Sequence, residues 1–263
     1  MLPKNLILLR HGESEGNVAF KKEISPAMLQ GFRKKHPSIW RLTDRGIWQA
    51  QTAGKWIRNN IDFRFERYYV SEYHRALETA FNLNLQGAIW YPEIYLRERE
   101  WGDIDGLPRE ERLEISPNSI DLKRDEPFLW TPPNGESIAT LCLRIDRILD
   151  TLHRECSKMN VIIVAHGETM WGFRIRLEKI SQKLYKELDA SDHPFDRIHN
   201  CQIIHYTRIN PTTGKESPYF GWMRSICSSD TELSSNSWKK IIRPKFVNDD
   251  LEAIFSKTPQ IIK

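Results

Sequence analysis

Asn5-Leu6-Ile7-Leu8-Leu9-Arg10-His11-Gly12-Glu13-Ser14-Glu15-Gly16-Asn17 is the stretch on which the fold turns. Its apolar run stops at an arginine and a glycine-containing turn, the pattern of a short buried strand emptying into a loop. The loop then gathers what an anion pocket requires. Arg10 offers a planar, permanently charged fork for phosphate oxygens, the glycines let backbone approach closely, and Ser14 and Asn17 add neutral donors. His11, if its proton sits on one ring nitrogen, has a lone pair on the other with which to attack phosphorus. A single histidine after a strand is ordinarily a packing or surface residue, so the reading depends on what other segments bring to the same place.

Two other segments have the same construction. Val70-Ser71-Glu72-Tyr73-His74-Arg75-Ala76 closes a strand predicted over 68–71 and places Arg75 at the start of a helix over 74–85. Val161-Ile162-Ile163-Val164-Ala165 is uninterrupted apolar sequence of strand length, as when helices cover both faces of a parallel strand, and it ends at His166-Gly167. Between and after them, Thr43 caps a helix to about residue 59 with Ile47, Ala50, Gly54 and Ile57 facing inward. Ile138, Leu141, Ile145, Ile148, Leu149 and Leu152 recur at helical spacing. Helices follow over 169–179 and from Ser181, and 202–207 reads as the last core strand. Strands alternating with helices imply a doubly wound α/β sheet, in which ligands sit beyond the carboxyl ends of the strands. Three such ends carrying Arg-His, Arg and His converge in one crevice.

The segments RHGESEGN (10–17), SEYHRALET (71–79) and VIIVAHGET (161–169) resemble, in order, the signature segments of the histidine phosphatase (phosphoglycerate mutase-like) superfamily. The resemblance covers 6–207 and implies a three-layer α/β/α sandwich on a mostly parallel central sheet. It makes His11 the nucleophile, Arg10, Arg75 and His166 the phosphate pocket, and Ser14, Asn17 and Gly167 further substrate contacts. Leu96-Arg97-Glu98-Arg99-Glu100-Trp101-Gly102 resembles the segment that holds the family's acid, with Glu98 in that position, Glu100 second to it and Asp103 the remaining candidate. An acid is needed because an alkoxide leaves slowly unless the bridging oxygen is protonated. Glu136 and Ser137 match a Gly-Glu-Ser helix start, where capping is the expected task. The implied reaction is phosphomonoester hydrolysis without metal or cofactor. A mutase using the same residues is the nearest alternative, although the stretch between Glu98 and His166 is short for the mutases' insertion. A non-catalytic phosphate-binding module is the other.

Composition narrows the remaining classes. With 263 residues and 40% hydrophobic content, one domain (1–210) can carry insertions at 20–41 and 100–135, followed by an extension (211–263) packed on the core. A net charge of +4 suits an anionic ligand but does not argue for nucleic acid. The basic run Arg33-Lys34-Lys35-His36 is either a solvated face or a hold on a second anionic group of the substrate. Cys142, Cys156, Cys201 and Cys227 show no paired spacing, and His36, His74, His153, His193, His199 and His205 no metal-ligand spacing. No stretch reaches the ~18 apolar residues of a membrane span. The expectation is a cytoplasmic enzyme whose partner is a small phosphorylated substrate, with neither nucleic acid nor membrane involved.

Overall fold

The computed structural model describes residues 1–19, 30–32 and 34–262. Strands β1 (Asn5–Arg10), β2 (Arg67–Val70), β3 (Trp90–Pro92), β4 (Asn160–Ala165), β5 (Gln202–Thr207), β6 (Trp222–Cys227) and β7 (Lys239–Lys240) form one sheet in the order β3-β2-β4-β1-β5-β6-β7. β3, β2, β4 and β1 run parallel, β5 is antiparallel to β1, and β6 and β7 continue antiparallel from it.

The apolar runs of β1 and β4 are continuous because both faces of each strand are covered. Side chains alternate between faces with a period of two. Leu6, Leu8, Val161 and Ile163 therefore pack on one side against Leu141, Ile145 and Leu152 of helix Ile138–Glu155 and Met170 and Phe173 of helix Gly167–Glu178. Ile7, Leu9, Ile162 and Val164 pack on the other side against Ala50, Ala53 and Ile57 of helix Asp44–Asn60 and Ala76 and Ala80 of helix His74–Asn82. Each fully buried Leu or Ile contributes about 1.5–3 kcal/mol, so these two layers account for the sandwich. The expected architecture, an α/β/α sandwich on a mostly parallel sheet, is the one observed. Three helix starts follow from local capping: Thr43, Ser137 and Ser181 accept from the backbone N–H groups of Gly46, Thr140 and Leu184 at 3.1, 3.0 and 3.2 Å.

Several expectations need correcting. β5 is not the last strand: residues after 210 add β6 and β7 to the sheet, and Phe220, Ile226 and Ile241 enter the two apolar layers. Helix Asn248–Phe255 buries no residue. The helix from His74 stops at Asn82, and Asn84 follows in the left-handed region (φ 49°). Ile47 is only half-buried, and Gln49 takes an inner position, its Oε1 accepting from the Glu13 N–H at 2.8 Å. The stretch 100–135 contains two short helices, Arg109–Ile115 and Ser119–Asp125. Of the expected insertion at 20–41, residues 20–29 and Arg33 lie outside the described residues. No helix among the described residues is long and apolar enough to cross a membrane.

Register places the functional loops. Arg10 pairs with Ala165 and Val70 with Val164, so β1, β2 and β4 end level and release their loops at one edge. The loop after β1 is held against helix Asp44–Asn60 by a close backbone approach. A Cβ on Gly46 would stand 2.0 Å from the Glu13 carbonyl oxygen, and one on Gly12 would stand 2.3 Å from that of Gly46. Neither backbone can withdraw without moving the loop. Gly46→Ala is therefore expected to lower stability by about 1–3 kcal/mol, read as a shifted urea midpoint. An unchanged midpoint would mean that this approach is looser than it stands.

Candidate active site

His11 follows β1 directly and is 2% exposed. Its Nδ1 lies 2.7 Å from the Gly12 carbonyl oxygen, which can only accept, so Nδ1 carries the proton and the lone pair is on Nε2. Arg75 agrees with that assignment, since its Nε donates to His11 Nε2 at 3.2 Å while Nη1 donates to the Pro37 carbonyl at 2.7 Å. Arg75 is itself buried and stacked over Tyr73, 4.9 Å from the ring centroid. Arg10 donates from Nη1 to the Ile198 carbonyl at 2.5 Å, and its buried Nε has no hydrogen-bond partner among the described residues. His166 is fully buried, with its ring centroid 5.1 Å from that of His11 and its Nε2 2.7 Å from Ser71 Oγ.

Burial, then the neighbouring guanidinium groups of Arg75 and Arg10, push the His11 pKa well below its ordinary value of 6.5, and the Gly12 carbonyl offsets only part of this. Burial and then Arg75, His11 and Arg10 push His166 the same way. Burial, followed by Arg224, lowers His205 to about 3. A histidine pKa lowered in the native state means that the unfolded chain takes a proton which the native one refuses. The associated stability is complete above pH ~6.5 and is lost as pH falls below it, at about 1.4 kcal/mol per pH unit for each such histidine. Urea midpoints are expected to be level above pH 7 and to fall between pH 6.5 and 5. A midpoint that rose on acidification would contradict neutral, buried imidazoles.

Glu98 is anchored at the start of helix Gly167–Glu178. Its Oε1 accepts from the N–H groups of Arg99 and Thr169 at 3.0 and 3.1 Å and from the Thr169 hydroxyl at 3.3 Å, and Oε2 lies 3.4 Å from the Glu168 nitrogen. Beside it, Arg99 (3% exposed) bridges to Glu168 at 3.1 Å, and Glu168 also accepts from the Trp101 indole N–H at 2.9 Å. Glu136 receives Arg144 through both oxygens, at 2.9 and 2.8 Å, and the Glu100 N–H at 3.0 Å. Its bonds thus brace the acid segment.

A cavity of about 280 Å³ opens at this edge, lined by Arg10, His11, Ser14, Gly16, Asn17, Pro37, Trp40, Tyr73, Arg75, Glu98, Arg99, Glu100, Trp101, Asp105 and Arg112. Of the residues expected from sequence, His11, Arg10, Arg75, Ser14, Asn17 and Glu98 come together there, with Glu100 beside them. His166 stands behind the lining. Gly167 is not part of it but lies under Arg10, where a Cβ would stand 3.4 Å from Nε. Asp103 is exposed, held by Asn134 at 2.8 Å, and does not reach the cavity. Lys34, Lys35 and His36 are exposed and do not line it either. Two further cations line it, Arg99 and Arg112, the latter donating from Nε to the Leu107 carbonyl at 2.7 Å. Sequence reasoning did not find Arg112, Asp105 or Trp40, which lie in segments without clean period, nor Tyr73 and Trp101, although each adjoins a motif. Burial and then Glu100 raise the pKa of Asp105, with Arg75 and Arg112 opposing. Among the described residues no group of three or more His, Cys, Asp or Glu side chains could hold a metal ion.

Known proteins are similar to this chain in sequence or in fold. The chain is 31% identical over 199 residues to a 2,3-bisphosphoglycerate-dependent phosphoglycerate mutase of Parvibaculum lavamentivorans, a match covering 69% of this chain and 83% of that one. It is 30% identical over 192 residues to the protein of the same name from Cytophaga hutchinsonii, covering 71% and 83%. Its fold resembles a mycobacterial glucosyl-3-phosphoglycerate phosphatase complexed with VO3 (TM-score 0.60, 21% identity, 77% of this chain and 92% of that one). It also resembles a phosphoserine phosphatase of Entamoeba histolytica in complex with 3-phosphoglyceric acid (TM-score 0.59, 24% identity, 78% and 90%). Residues 6–199 match the sequence profile of histidine phosphatase superfamily branch 1, which spans the loops after β1, β2 and β4, and the chain belongs to that family.

Proposed function

We propose that this protein is a metal-independent phosphomonoesterase acting through a phosphohistidine on His11. The observation that carries the reading is the orientation of His11: Gly12 holds its Nδ1–H, and the Nε2 lone pair is turned toward Arg75 in a cavity that also holds Arg10 and Glu98. In the first step His11 Nε2 attacks phosphorus in line with the departing oxygen, Arg75 shifting its hydrogen bond from Nε2 to a phosphoryl oxygen. The P–O bond breaks, and the departing oxygen takes a proton from the Glu98 carboxyl. In the second step Glu98, now a carboxylate, accepts a proton from water as that water attacks phosphorus. The P–N bond breaks, releasing inorganic phosphate and returning Glu98 to its acid form. The charge spread over the transferring group is met by Arg10 and Arg75, which are already in place.

The two mutase relatives support a second reading, transfer of the phosphoryl group to another hydroxyl. The short stretch between Glu98 and His166 favours water as the acceptor. Both phosphatases of similar fold are named for small phosphorylated metabolites, and the lining of this cavity supports a substrate of that class. The four cysteines are unpaired thiols, which supports a cytoplasmic location.

One assay separates the readings. Purified protein with nitrophenyl phosphate is expected to turn over without 2,3-bisphosphoglycerate and to keep its rate in EDTA. A requirement for the bisphosphate would favour the mutase. A requirement for added divalent ion would direct attention to the carboxylates as ligands, and no turnover under any condition would leave a binding module.

A further inference from the structure

Ser71 follows β2 directly and is fully buried. The sequence reading gives it no task, yet among the described residues its hydroxyl is the one group bonded to the His166 ring: Oγ lies 2.7 Å from Nε2. Either atom could donate on distance alone, and the surroundings decide. Ser71 Oγ already accepts from the Tyr73 backbone N–H at 3.4 Å. Among the described residues the hydroxyl hydrogen has no acceptor other than His166 Nε2. If Nε2 carried the ring proton, Ser71 Oγ would accept twice and its own hydrogen would be buried without a partner, at a cost of about 1–3 kcal/mol. The opposite assignment pairs these three groups and moves the unpaired donor to Nδ1, where an oxyanion bound beside Arg10 would be its acceptor. Tyr73 N–H donates to Ser71, Ser71 O–H donates to His166 Nε2, and the ring proton is on Nδ1.

Among the described residues His166 Nδ1 is itself buried and without a hydrogen-bond partner, and so is Arg10 Nε. The two residues are neighbours, because Arg10 pairs with Ala165 across β1 and β4 and His166 is the next residue. Two buried nitrogens without a partner among the described residues, one on His166, whose ring centroid is 5.1 Å from that of His11, and one on Arg10, the residue before His11, suit an oxyanion at this place. With the proton on Nε2 instead, Nδ1 would present a lone pair at this place and would repel a phosphoryl oxygen.

We propose that Ser71 is a positioning residue that holds His166 as its Nδ1–H tautomer, so that the phosphoryl pocket receives a neutral N–H donor beside the Arg10 guanidinium. The proposal rests on the phosphoryl-transfer reading for the identity of the ligand, but the tautomer can be measured without turnover. A neutral donor suits the position. An imidazolium beside two arginines would be strongly disfavoured, whereas a neutral N–H adds a bond to the phosphoryl oxygens without adding charge.

The test is long-range ¹H–¹⁵N correlation on histidine-labelled full-length protein at pH 7.5, with His166 assigned by the loss of its signals in His166→Gln. Wild type is expected to show His166 protonated at Nδ1. Ser71→Ala is expected to move the proton to Nε2 or to mix the tautomers, while His11, held by the Gly12 carbonyl, keeps its own. In the same variant vanadate affinity and kcat/KM for nitrophenyl phosphate are expected to fall ~10–100-fold, as for loss of a partner that orients a binding residue. Ser71→Cys, which retains a weak donor in nearly the same volume, should recover part of that loss. A wild-type ring protonated at Nε2 overturns the proposal even if no variant folds. So does a Ser71→Ala protein that keeps both the Nδ1–H tautomer and wild-type vanadate affinity. If wild type has the expected tautomer but never turns over an aryl phosphate, the phosphatase reading fails and the assignment at Ser71 stands.

Discussion

His11→Ala is expected to lower turnover by a factor of ~10⁴ or more, because it removes the nucleophile on which the proposed in-line path depends. His11 belongs to a loop, yet it is 2% exposed and receives a hydrogen bond from Arg75, so alanine also leaves Arg75 Nε without its acceptor. A small loss of stability is therefore expected alongside the loss of activity. His11→Asn, closer to the histidine in volume and still able to hydrogen-bond, separates the two effects: it should restore the melting temperature and not the rate. The direct check is chemical. Wild type quenched during turnover of ³²P-labelled substrate should carry a label that is lost in acid and retained in alkali, as a phosphoramidate is. A label on serine would overturn the mechanism, and Ser14, which lines the same cavity, is the residue to inspect first.

Glu98→Gln is expected to cost ~10²–10⁴ on an alkyl phosphate, whose departing oxygen is strongly basic, and much less in the phosphorylation step with nitrophenyl phosphate, whose leaving group departs as the anion. If Glu98 also activates water, hydrolysis of the phosphohistidine becomes limiting in the variant. A burst of nitrophenol followed by a slow steady rate is then the signature. The amide is not fully isosteric in its bonding here. Glu98 accepts at the N-terminus of helix Gly167–Glu178, from Thr169 and Arg99, and glutamine can accept through only one of its two terminal atoms. The nitrophenyl burst serves as a control for that disturbance, because its amplitude reports intact phosphorylation. Glu100 lines the same cavity, so Glu100→Gln is the necessary comparison. It should show neither the leaving-group dependence nor the burst. The reverse pattern would move the acid to Glu100, whereas Asp103, held outside the cavity by Asn134, is no longer a candidate on geometry.

The residues legible in advance share a physical property: their placement is set by neighbours in the chain. An apolar run long enough for one strand and closed by Arg10-His11-Gly12 or by His166-Gly167 has a strand end built into it, and parallel register then brings such ends level. Thr43, Ser137 and Ser181 could be read as caps because a cap bonds to backbone three residues on. The acid segment was legible only through family resemblance, since a glutamate in an irregular stretch looks like any solvated carboxylate.

Long-range packing settled the rest. Lys34 and Lys35 had the charge expected of a second anion site but stay in solvent, while Arg112 reaches the cavity because a short helix between two irregular stretches carries it there. Nothing periodic in 100–135 records that route. β6, with Trp222, Met223, Arg224 and Ser225 only half-buried, lacks the alternation of a solvent-facing strand and the continuous apolar run of a central one; pairing with β5 is what makes it a strand. The proton positions on His11 and His166 depend most of all on tertiary structure. A ring nitrogen takes or gives up its hydrogen according to the partner opposite it, and Ser71 comes to face His166 from 95 residues away in the chain only after β2 and β4 have paired.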